Sequence, residues 1–245
     1  MRIIEEKVSI NYDKTKQFFK NRAAKYNQDN PYGVTMYQDN NKQLVIDRNS
    51  SEIGKLLPNL HISKNSKILD VACGIGRWAD AFPDTICEYC GVDFSEELIE
   101  IANQRNTRSN FSFHVGSAVD IENVLKSNDK GSFNIILVVG ILVYLNDQDV
   151  MKTLQSIVNI CEERAVICIR EPIGLQNRLT LKEFYSEELN DNYSAIYRSK
   201  DELIQFFDKA FLGNGFSIKT EGFLFEEDKL NNRKETSQYF FILER

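Results

Sequence analysis

Apolar residues recur along this chain with two different spacings. Within 12–28 and 42–57 they recur at helical intervals in a polar background, and Pro58 ends the second stretch, so we predict two helices in the first 60 residues. From residue 66 onward, short apolar runs alternate with amphipathic stretches. This alternation predicts strands at 67–71, 87–92, 111–115, 133–139 and 165–170, with helices at 76–82, 95–105 and 148–160.

The C-terminal part departs from this alternation. Ser199 and Glu202 form a capping box that opens a predicted helix over 199–212. The strand-like runs 216–225 and 238–243 follow with no helix between them, which predicts an antiparallel hairpin. We therefore predict an α/β fold with a seven-stranded sheet, mostly parallel, closed by this C-terminal hairpin and covered by helices on both faces. The intervening segment 173–198 is rich in Tyr, Phe and Arg and fits either a strand pair or a mixed cap.

The composition is that of a globular protein with a sizeable core. Hydrophobic residues make up 42% of the 245 residues and charged residues 27%, which suits one large α/β domain. The net charge of -6 argues against a nucleic-acid-binding surface, and no apolar run reaches the roughly 20 residues of a membrane span. The charged N-terminus and five cysteines lead us to expect reduced thiols and a cytoplasmic location. Because Cys87 and Cys90 have no second pair at metal-ligand spacing, we expect no metal.

The stretch ILDVACGIGRW, residues 68–78, is typical of a nucleotide-binding turn. An apolar strand ends in Asp70, and Gly74 and Gly76 follow, so backbone N–H groups can approach a ligand closely. Gly74, Gly76 and Ala79, with Asp93 further on, also fit the nicotinamide fingerprint G-x-G-x-x-A. Against that alternative, Asp70 would repel a pyrophosphate, and no second mononucleotide-binding half follows. Asp70 suits a ligand with an ammonium group instead.

With these residues the chain resembles the class I S-adenosylmethionine-dependent methyltransferases, in their small-molecule branch. Their first motif, acid-x-x-x-G-x-G, is matched by Asp70 to Gly76, and their second, an acid closing the second strand, is matched by Asp93. The resemblance implies a Rossmann-like sheet and S-adenosylmethionine as cofactor, with S-adenosylhomocysteine as product. It also implies a cofactor site made of Asp70, Ala72, Cys73, Gly74, Gly76, Asp93, Phe94, Ser117, Ala118, Val139 and Gly140.

The resemblance gives several of these residues roles. Asp93 would accept both ribose hydroxyls, Phe94 would lie against the adenine, and the glycines would admit the methionine portion. Asp70 would order the turn or reach the ammonium group through water. Ser117 stands where the family has an acid, so that contact to the adenine amino group is weakened or made by the backbone and the hydroxyl.

Methyl transfer from a sulfonium is an in-line displacement that needs no nucleophilic side chain. If a base is used, Tyr144 and Glu171 are the candidate catalytic residues, because they follow predicted strands at the edge where open α/β sheets build their sites. A salt bridge with a neighbouring arginine is an equal alternative for Glu171. Arginine with tyrosine suits an anionic acceptor, and the candidate acceptor-binding residues are Tyr26, Tyr37, Arg48, Arg170, Arg178 and Tyr197.

The sequence thus divides into an N-terminal helical lid (1–60), a cofactor-binding core (61–172), an acceptor-side cap (173–198), and the last helix with the closing hairpin (199–245). We predict a methyltransferase acting on an oxygen or nitrogen of a small metabolite, with sugar-linked or phosphorylated acceptors favoured. A protein or RNA methyltransferase, or a cofactor-binding module without transfer activity, remains an alternative. We expect no nucleic-acid or membrane partner, and either a monomer or a homodimer.

Overall fold

The computed structural model describes residues 1–226, 230–231 and 233–245. None of the described helices is both long and apolar enough to cross a membrane. In chain order, the helices and strands are β1 (Arg2–Ile4), α1 (Tyr12–Ala23), α2 (Gly33–Met36), α3 (Lys42–Leu56), β2 (Lys67–Val71), β3 (Glu88–Asp93), α4 (Glu96–Arg105), β4 (Phe111–Val115), α5 (Ile121–Ser127), β5 (Phe133–Val139), α6 (Asp147–Ile160), β6 (Cys161–Gly174), β7 (Leu179–Ser186), β8 (Asp191–Tyr197), α7 (Lys200–Ala210), β9 (Ser217–Phe223) and β10 (Thr236–Glu244).

Seven strands form the central sheet, in the order β4-β3-β2-β5-β6-β10-β9. The first five are parallel, whereas β10 runs antiparallel to both β6 and β9. The predicted seven-stranded, mostly parallel sheet with an antiparallel C-terminal hairpin is therefore confirmed. Since β2 lies between β3 and β5 and runs parallel to both, the carboxyl ends of all three strands meet at one edge of the sheet.

Consecutive residues of β2 face opposite layers of the molecule, as the two-residue period of a strand requires. Leu69 belongs to the buried cluster that includes Leu154 of α6 and Phe207 of α7, whereas Ile68 belongs to a second cluster that includes Leu56 of α3 and Ala102 of α4. Both faces of the sheet are therefore buried, which explains why apolar residues of its central strands face both layers.

The segment 173–198 forms a strand pair, one of the two arrangements that the sequence left open. Strands β7 and β8 pair antiparallel, and β1 adds to the free edge of β7 to make a separate three-stranded sheet, the cap sheet. The first residues of the predicted helical lid thus contribute a strand, which was not predicted because three residues carry no periodic signal. Helix α5 was also missed; it is short and lies in a polar stretch.

Helix α1 is attached to the core at its N-terminus. The Asn146 side chain accepts from the Ile10 backbone N–H at 2.9 Å, and the Asn146 backbone N–H donates to the Tyr12 hydroxyl at 2.9 Å. The Tyr12 hydroxyl in turn donates to Asp149 of α6. These contacts place α1 over the carboxyl edge of the sheet.

Candidate active site

A cavity of about 310 Å³ opens at the carboxyl ends of β2, β3 and β4; we call it the cofactor cavity. Helix α1 forms one wall, and the segment after β5 forms another. The residues that line it are Tyr12, Thr15, Lys16, Ala72, Val92, Asp93, Phe94, Gly116, Ser117, Ala118, Val119, Ile141, Tyr144 and Leu145.

Asp93 ends β3 and organises the loops on either side of the cofactor cavity. One carboxylate oxygen accepts from the Gly74 N–H and the other from the Ser95 N–H, each at 2.9 Å. Burial raises the pKa of Asp93 to about 6, although both backbone hydrogen bonds favour the charged form. Each oxygen keeps a second lone pair, so the group can also accept from two neighbouring hydroxyls of a ligand.

Two positions in the turn after β2, residues 74 and 76, leave no room for a side chain. Gly74 and Gly76 have φ of +55° and +72°, in the left-handed region. A Cβ at Gly74 would lie 2.9 Å from Thr35 Cγ2, and a Cβ at Gly76 would lie 2.8 Å from Phe113 Cε1. The glycine turn, residues 72–76, is therefore shaped both by its backbone conformation and by close packing.

Asp70 and Cys73 lie behind the glycine turn, and their side chains do not line the cofactor cavity. Asp70 accepts from the Tyr89 hydroxyl at 2.5 Å, and burial raises its pKa to about 7. Cys73 packs against Gly91, where a Cβ would lie 2.8 Å from its sulfur. Both residues thus support the turn on the side that faces away from the cofactor cavity.

A second cavity, of about 150 Å³, lies beneath the cap sheet and the N-terminal helices; we call it the acceptor cavity. The ends of β5 and β6 form its floor, and β8 and β10 contribute to its walls. Its lining is rich in charged residues and tyrosines: Arg48, Glu52, Arg170, Glu188 and Arg233, with Tyr37, Tyr144, Tyr193 and Tyr197.

Tyr144 lines both cavities and so marks their junction. Its hydroxyl oxygen lies 2.6 Å from that of Tyr37. Burial raises the pKa of Tyr37 to about 12 and that of Tyr144 well above its usual value. Both phenols are therefore neutral near pH 7, and the pair can donate and accept hydrogen bonds without carrying charge.

Three arginines reach the acceptor cavity from different elements. Arg48 is buried, and its Nε donates to the Leu230 carbonyl at 2.8 Å. Arg233 Nη2 donates to the Tyr193 hydroxyl at 2.6 Å. Arg170 Nη1 donates to the Gln238 side chain at 3.1 Å. Guanidinium groups held at one or two nitrogens keep further donors for a ligand, and a low-dielectric cavity strengthens their attraction for an anion.

Glu171 holds the segment that carries Tyr144 and reaches neither cavity. Its two carboxylate oxygens accept from the backbone N–H groups of Leu142 and Val143, at 2.9 and 3.1 Å. Arg198 binds the same segment from its carbonyl side, donating to Leu142 and Leu145 at 2.6 and 2.7 Å. We call residues 141–145 the clamped turn.

The structure brings most of the predicted site residues together in two groups. Among the cofactor candidates, Ala72, Asp93, Phe94, Ser117 and Ala118 line the cofactor cavity, whereas Val139 and Gly140 line the acceptor cavity. The Ser117 hydroxyl accepts from the Val119 N–H at 3.3 Å.

The acceptor candidates divide in the same way. Tyr37, Arg48, Arg170 and Tyr197 line the acceptor cavity. Tyr26 packs instead against a small cluster around Ile75. Arg178 pairs with Asp147 at 2.8 Å and with Glu202 at 3.1 Å, outside both cavities.

Sequence reasoning missed several lining residues. Tyr12, Thr15 and Lys16 reach the cofactor cavity from α1, and Arg233 and Gln238 reach the acceptor cavity from the last hairpin. No motif marks these positions, because each belongs to a polar stretch that looks like ordinary surface.

The cofactor cavity fits S-adenosylmethionine in three respects. Asp93 offers two acceptor oxygens for ribose hydroxyls, Phe94 and Ile141 offer apolar walls for an adenine, and the glycine turn allows a close backbone approach. The cofactor, when bound, supplies an electrophilic methyl group on a sulfonium.

Comparison with known proteins agrees with this geometry. Residues 68–164 match the family described as methyltransferase domain. A stretch of 123 residues, 50% of this chain, is 24% identical to phosphoethanolamine N-methyltransferase 1 of Caenorhabditis elegans and covers 25% of that protein. The chain thus spans a quarter of the length of this curated relative.

Two solved structures show the same fold. The phosphoethanolamine N-methyltransferase 1 of Haemonchus contortus, in complex with phosphoethanolamine and S-adenosylhomocysteine, aligns with a TM-score of 0.67 at 17% identity, over 96% of this chain and 50% of that one. The N-methyltransferase NodS of Bradyrhizobium japonicum, in complex with S-adenosylhomocysteine, aligns with a TM-score of 0.62 at 14% identity, over 95% and 99%. Residues 68–164 therefore match a methyltransferase domain, and the chain has the fold of S-adenosylmethionine-dependent methyltransferases.

Proposed function

We propose that this chain transfers the methyl group of S-adenosylmethionine to a nitrogen or oxygen of a small anionic metabolite bound in the acceptor cavity. Sugar-linked and phosphorylated molecules are the classes that fit best. The observation that carries the proposal is the junction at Tyr144: a cavity that fits the cofactor meets, at one residue, a cavity whose walls carry three arginines.

The size of the acceptor cavity favours a small molecule. It holds about 150 Å³ beneath the cap sheet and the N-terminal helices. A protein segment or a nucleic acid would need an open groove, and a net charge of -6 gives no general attraction for RNA.

The charges of the acceptor cavity favour an anion. Glu52 pairs with Arg170 at 3.0 Å, and Glu188 is exposed and accepts from Gln38. Arg48 and Arg233 line the cavity and make no ion pair with a carboxylate among the residues that the structure describes, so their charges can attract an anion there. Two guanidinium groups can bind the oxygens of a phosphate or carboxylate in a fork.

The reaction requires alignment and little else from the protein. The acceptor's lone pair attacks the methyl carbon in line with the bond that breaks, and that bond's electrons return to sulfur. The neutral Tyr37–Tyr144 pair would hold the acceptor atom by a hydrogen bond at the junction. An amine acceptor must arrive unprotonated or release its proton to water, because neither phenol is ionised near pH 7.

Nitrogen is favoured over oxygen as the attacked atom. The Caenorhabditis and Haemonchus relatives act on the nitrogen of phosphoethanolamine according to their names, and NodS is also an N-methyltransferase. A phosphorylated amine combines the anion that the arginines fit with a nucleophile that needs no strong base. It is the class that we would test first.

The experiment is release of S-adenosylhomocysteine from S-adenosylmethionine in the presence of phosphorylated amines, sugar phosphates and small carboxylates. We expect turnover with an anionic amine. In Arg48→Gln the KM of that acceptor should rise tenfold or more, because the substitution removes a charged hydrogen bond that contributes roughly 1.5–3 kcal/mol. Arg178→Gln is the matched control, because Arg178 lies outside both cavities, and its KM should stay within about twofold. Turnover with neutral acceptors alone would contradict the proposal.

A further inference from the structure

Glu52 is a buried carboxylate that joins three separate elements. It belongs to α3 and is 1% exposed. One of its oxygens accepts from the Arg77 guanidinium and, at 3.0 Å, from Trp78 Nε1. The other oxygen lies 3.0 Å from Arg170 Nε of β6. One charge thus links α3, the segment after the glycine turn, and the floor of the acceptor cavity.

The two arginines that contact Glu52 belong to different parts of the site. Arg77 directly follows Gly76 of the glycine turn, and its Nη1 also donates to Asn49 of α3 at 2.8 Å. Arg170 lines the acceptor cavity. A Cβ at Gly140 would lie 2.9 Å from Arg170 Nη1, so the glycine that follows β5 leaves the space that this guanidinium occupies.

Glu52 is ionised, because its two guanidinium partners outweigh its burial and hold its pKa below the ordinary value. A buried charge between two cations is shared by them. Removing it leaves the buried Arg77 and the partly buried Arg170 with fewer partners, which is costly for both segments that carry them.

We propose that Glu52 is a positioning residue that holds the glycine turn and Arg170 in place together and thereby couples cofactor binding to anion binding. The coupling rests on the proposed function, since it needs an anion at Arg170. Such an anion neutralises part of the charge of Arg170. The Glu52 carboxylate is then attracted less to Arg170 and interacts more strongly with Arg77 and Trp78. An anion in the acceptor cavity therefore holds the glycine turn more rigidly and strengthens cofactor binding. By thermodynamic linkage, bound cofactor strengthens anion binding by the same factor.

The first test is calorimetric titration of S-adenosylhomocysteine into wild type, Glu52→Gln and Glu202→Gln. Glu52 does not line the cofactor cavity, so weaker binding in its variant cannot come from a lost direct contact. We expect about tenfold weaker binding in Glu52→Gln, as a buried charged partner is lost. Glu202, which pairs with Arg178 away from both cavities, is the matched control and should change the affinity by less than about twofold. Wild-type affinity in Glu52→Gln would overturn the inference.

A second variant covers the case in which Glu52→Gln does not fold. Glu52→Asp keeps the charge but withdraws the carboxylate by one methylene, so the protein should fold with Arg77 poorly held. We expect about threefold weaker binding of S-adenosylhomocysteine. An unchanged affinity in this variant would overturn the inference equally.

The coupling has its own optical readout, because Trp78 is the single tryptophan of the chain and its N–H bonds to Glu52. Inorganic phosphate, as the probe for the acceptor cavity, should shift Trp78 emission in wild type and tighten S-adenosylhomocysteine binding about fivefold. Both responses should vanish in Glu52→Gln.

The outcomes separate this inference from the proposed function. Phosphate that binds wild type without moving Trp78 emission or the cofactor affinity would overturn the coupling. If phosphate does not bind wild type at all, the proposed anionic acceptor is contradicted, and the cofactor affinities of Glu52→Gln and Glu52→Asp still decide whether Glu52 positions the glycine turn.

Discussion

At the scale of single residues, Tyr144 has the most demanding position. It lines both cavities, and its hydroxyl shares a hydrogen bond of 2.6 Å with Tyr37. The ring packs edge-on against Phe19, with ring centroids 5.1 Å apart. Packing therefore fixes the ring, and the hydroxyl is left to orient what binds at the junction.

Tyr144→Phe should separate these two contributions. The ring and its packing remain, so affinity for S-adenosylhomocysteine should stay within about twofold of wild type. The turnover number should fall about tenfold, since one buried hydrogen bond contributes roughly 1 kcal/mol and an unpaired partner costs more. Steady-state kinetics and calorimetry on the same preparation measure both.

Tyr185→Phe is the matched control for this prediction. Tyr185 is an exposed tyrosine of the cap sheet that donates to Asn190, away from both cavities. Its variant should turn over like wild type. Equal rates for Tyr144→Phe and wild type would show that the junction hydroxyl has no part in the reaction.

At the scale of elements, the clamped turn is held by hydrogen bonds with two buried side chains. Glu171 of β6 accepts hydrogen bonds from two backbone N–H groups of this turn, and Arg198, which follows β8, donates to two of its carbonyl groups. Both side chains are at most 2% exposed. The position of Tyr144 thus depends on two strands that belong to different sheets.

Glu171→Gln should loosen the clamped turn. The amide can accept from one of the two N–H groups but presents a donor to the other, at a cost of roughly 1–3 kcal/mol. We expect a lower melting temperature and about tenfold slower turnover, with cofactor affinity nearly unchanged because the glycine turn is untouched. Glu221→Gln is the control, because Glu221 lies on the edge strand β9 and its carboxylate pairs with Lys200 of α7. An unaltered rate in Glu171→Gln with normal stability would count against the clamp.

Most of the large elements were predictable from periodicity. Strands β2, β4 and β5 begin and end at the predicted residues, because each is a short run rich in apolar residues between polar turns. The cap sheet was not fully predictable. Strand β1 is three residues long, and its pairing with β7 joins segments far apart in the chain, which no local pattern records.

The site was predictable where a residue type is required by the backbone or by a ligand. The glycines of the turn and Asp93 are of this kind. Glu171 was expected at the carboxyl edge, but its backbone partners follow from the tertiary fold. Arg233 and the lining residues of α1 depend on how distant segments pack, and sequence reasoning had no means to find them.

At the scale of the whole molecule, three buried carboxyl groups make stability depend on pH. Burial raises the pKa of Asp70 and of Glu171 to about 7, and that of Asp93 to about 6, from ordinary values of 3.8 for Asp and 4.5 for Glu. The folded state therefore binds more protons than the unfolded state between about pH 4 and pH 7. Their contribution to the free energy of unfolding is full below about pH 4 and is lost as the pH rises through 6 and 7.

Asp70→Asn should remove part of this dependence. The amide keeps an acceptor for the Tyr89 hydroxyl and carries no charge, so without cofactor the variant should be more stable than wild type at pH 8, by about 1 kcal/mol or more, and similar to it at pH 5. Asp147→Asn provides the contrast. Its arginine partners hold the pKa of Asp147 below its usual value, so that variant should be less stable than wild type at pH 8. Thermal unfolding at both pH values measures this, and a loss of stability in Asp70→Asn at pH 8 would contradict it.

The most direct test of the central claim is calorimetric titration of wild type and Asp93→Asn with S-adenosylhomocysteine and with NAD. Asp93 faces the cofactor cavity and also holds the glycine turn. We predict micromolar binding of S-adenosylhomocysteine to wild type, at least about tenfold weaker binding to the variant because a charged acceptor is lost, and no binding of NAD. Binding of NAD alone, or equal binding of S-adenosylhomocysteine to both proteins, would contradict the assignment of this cavity.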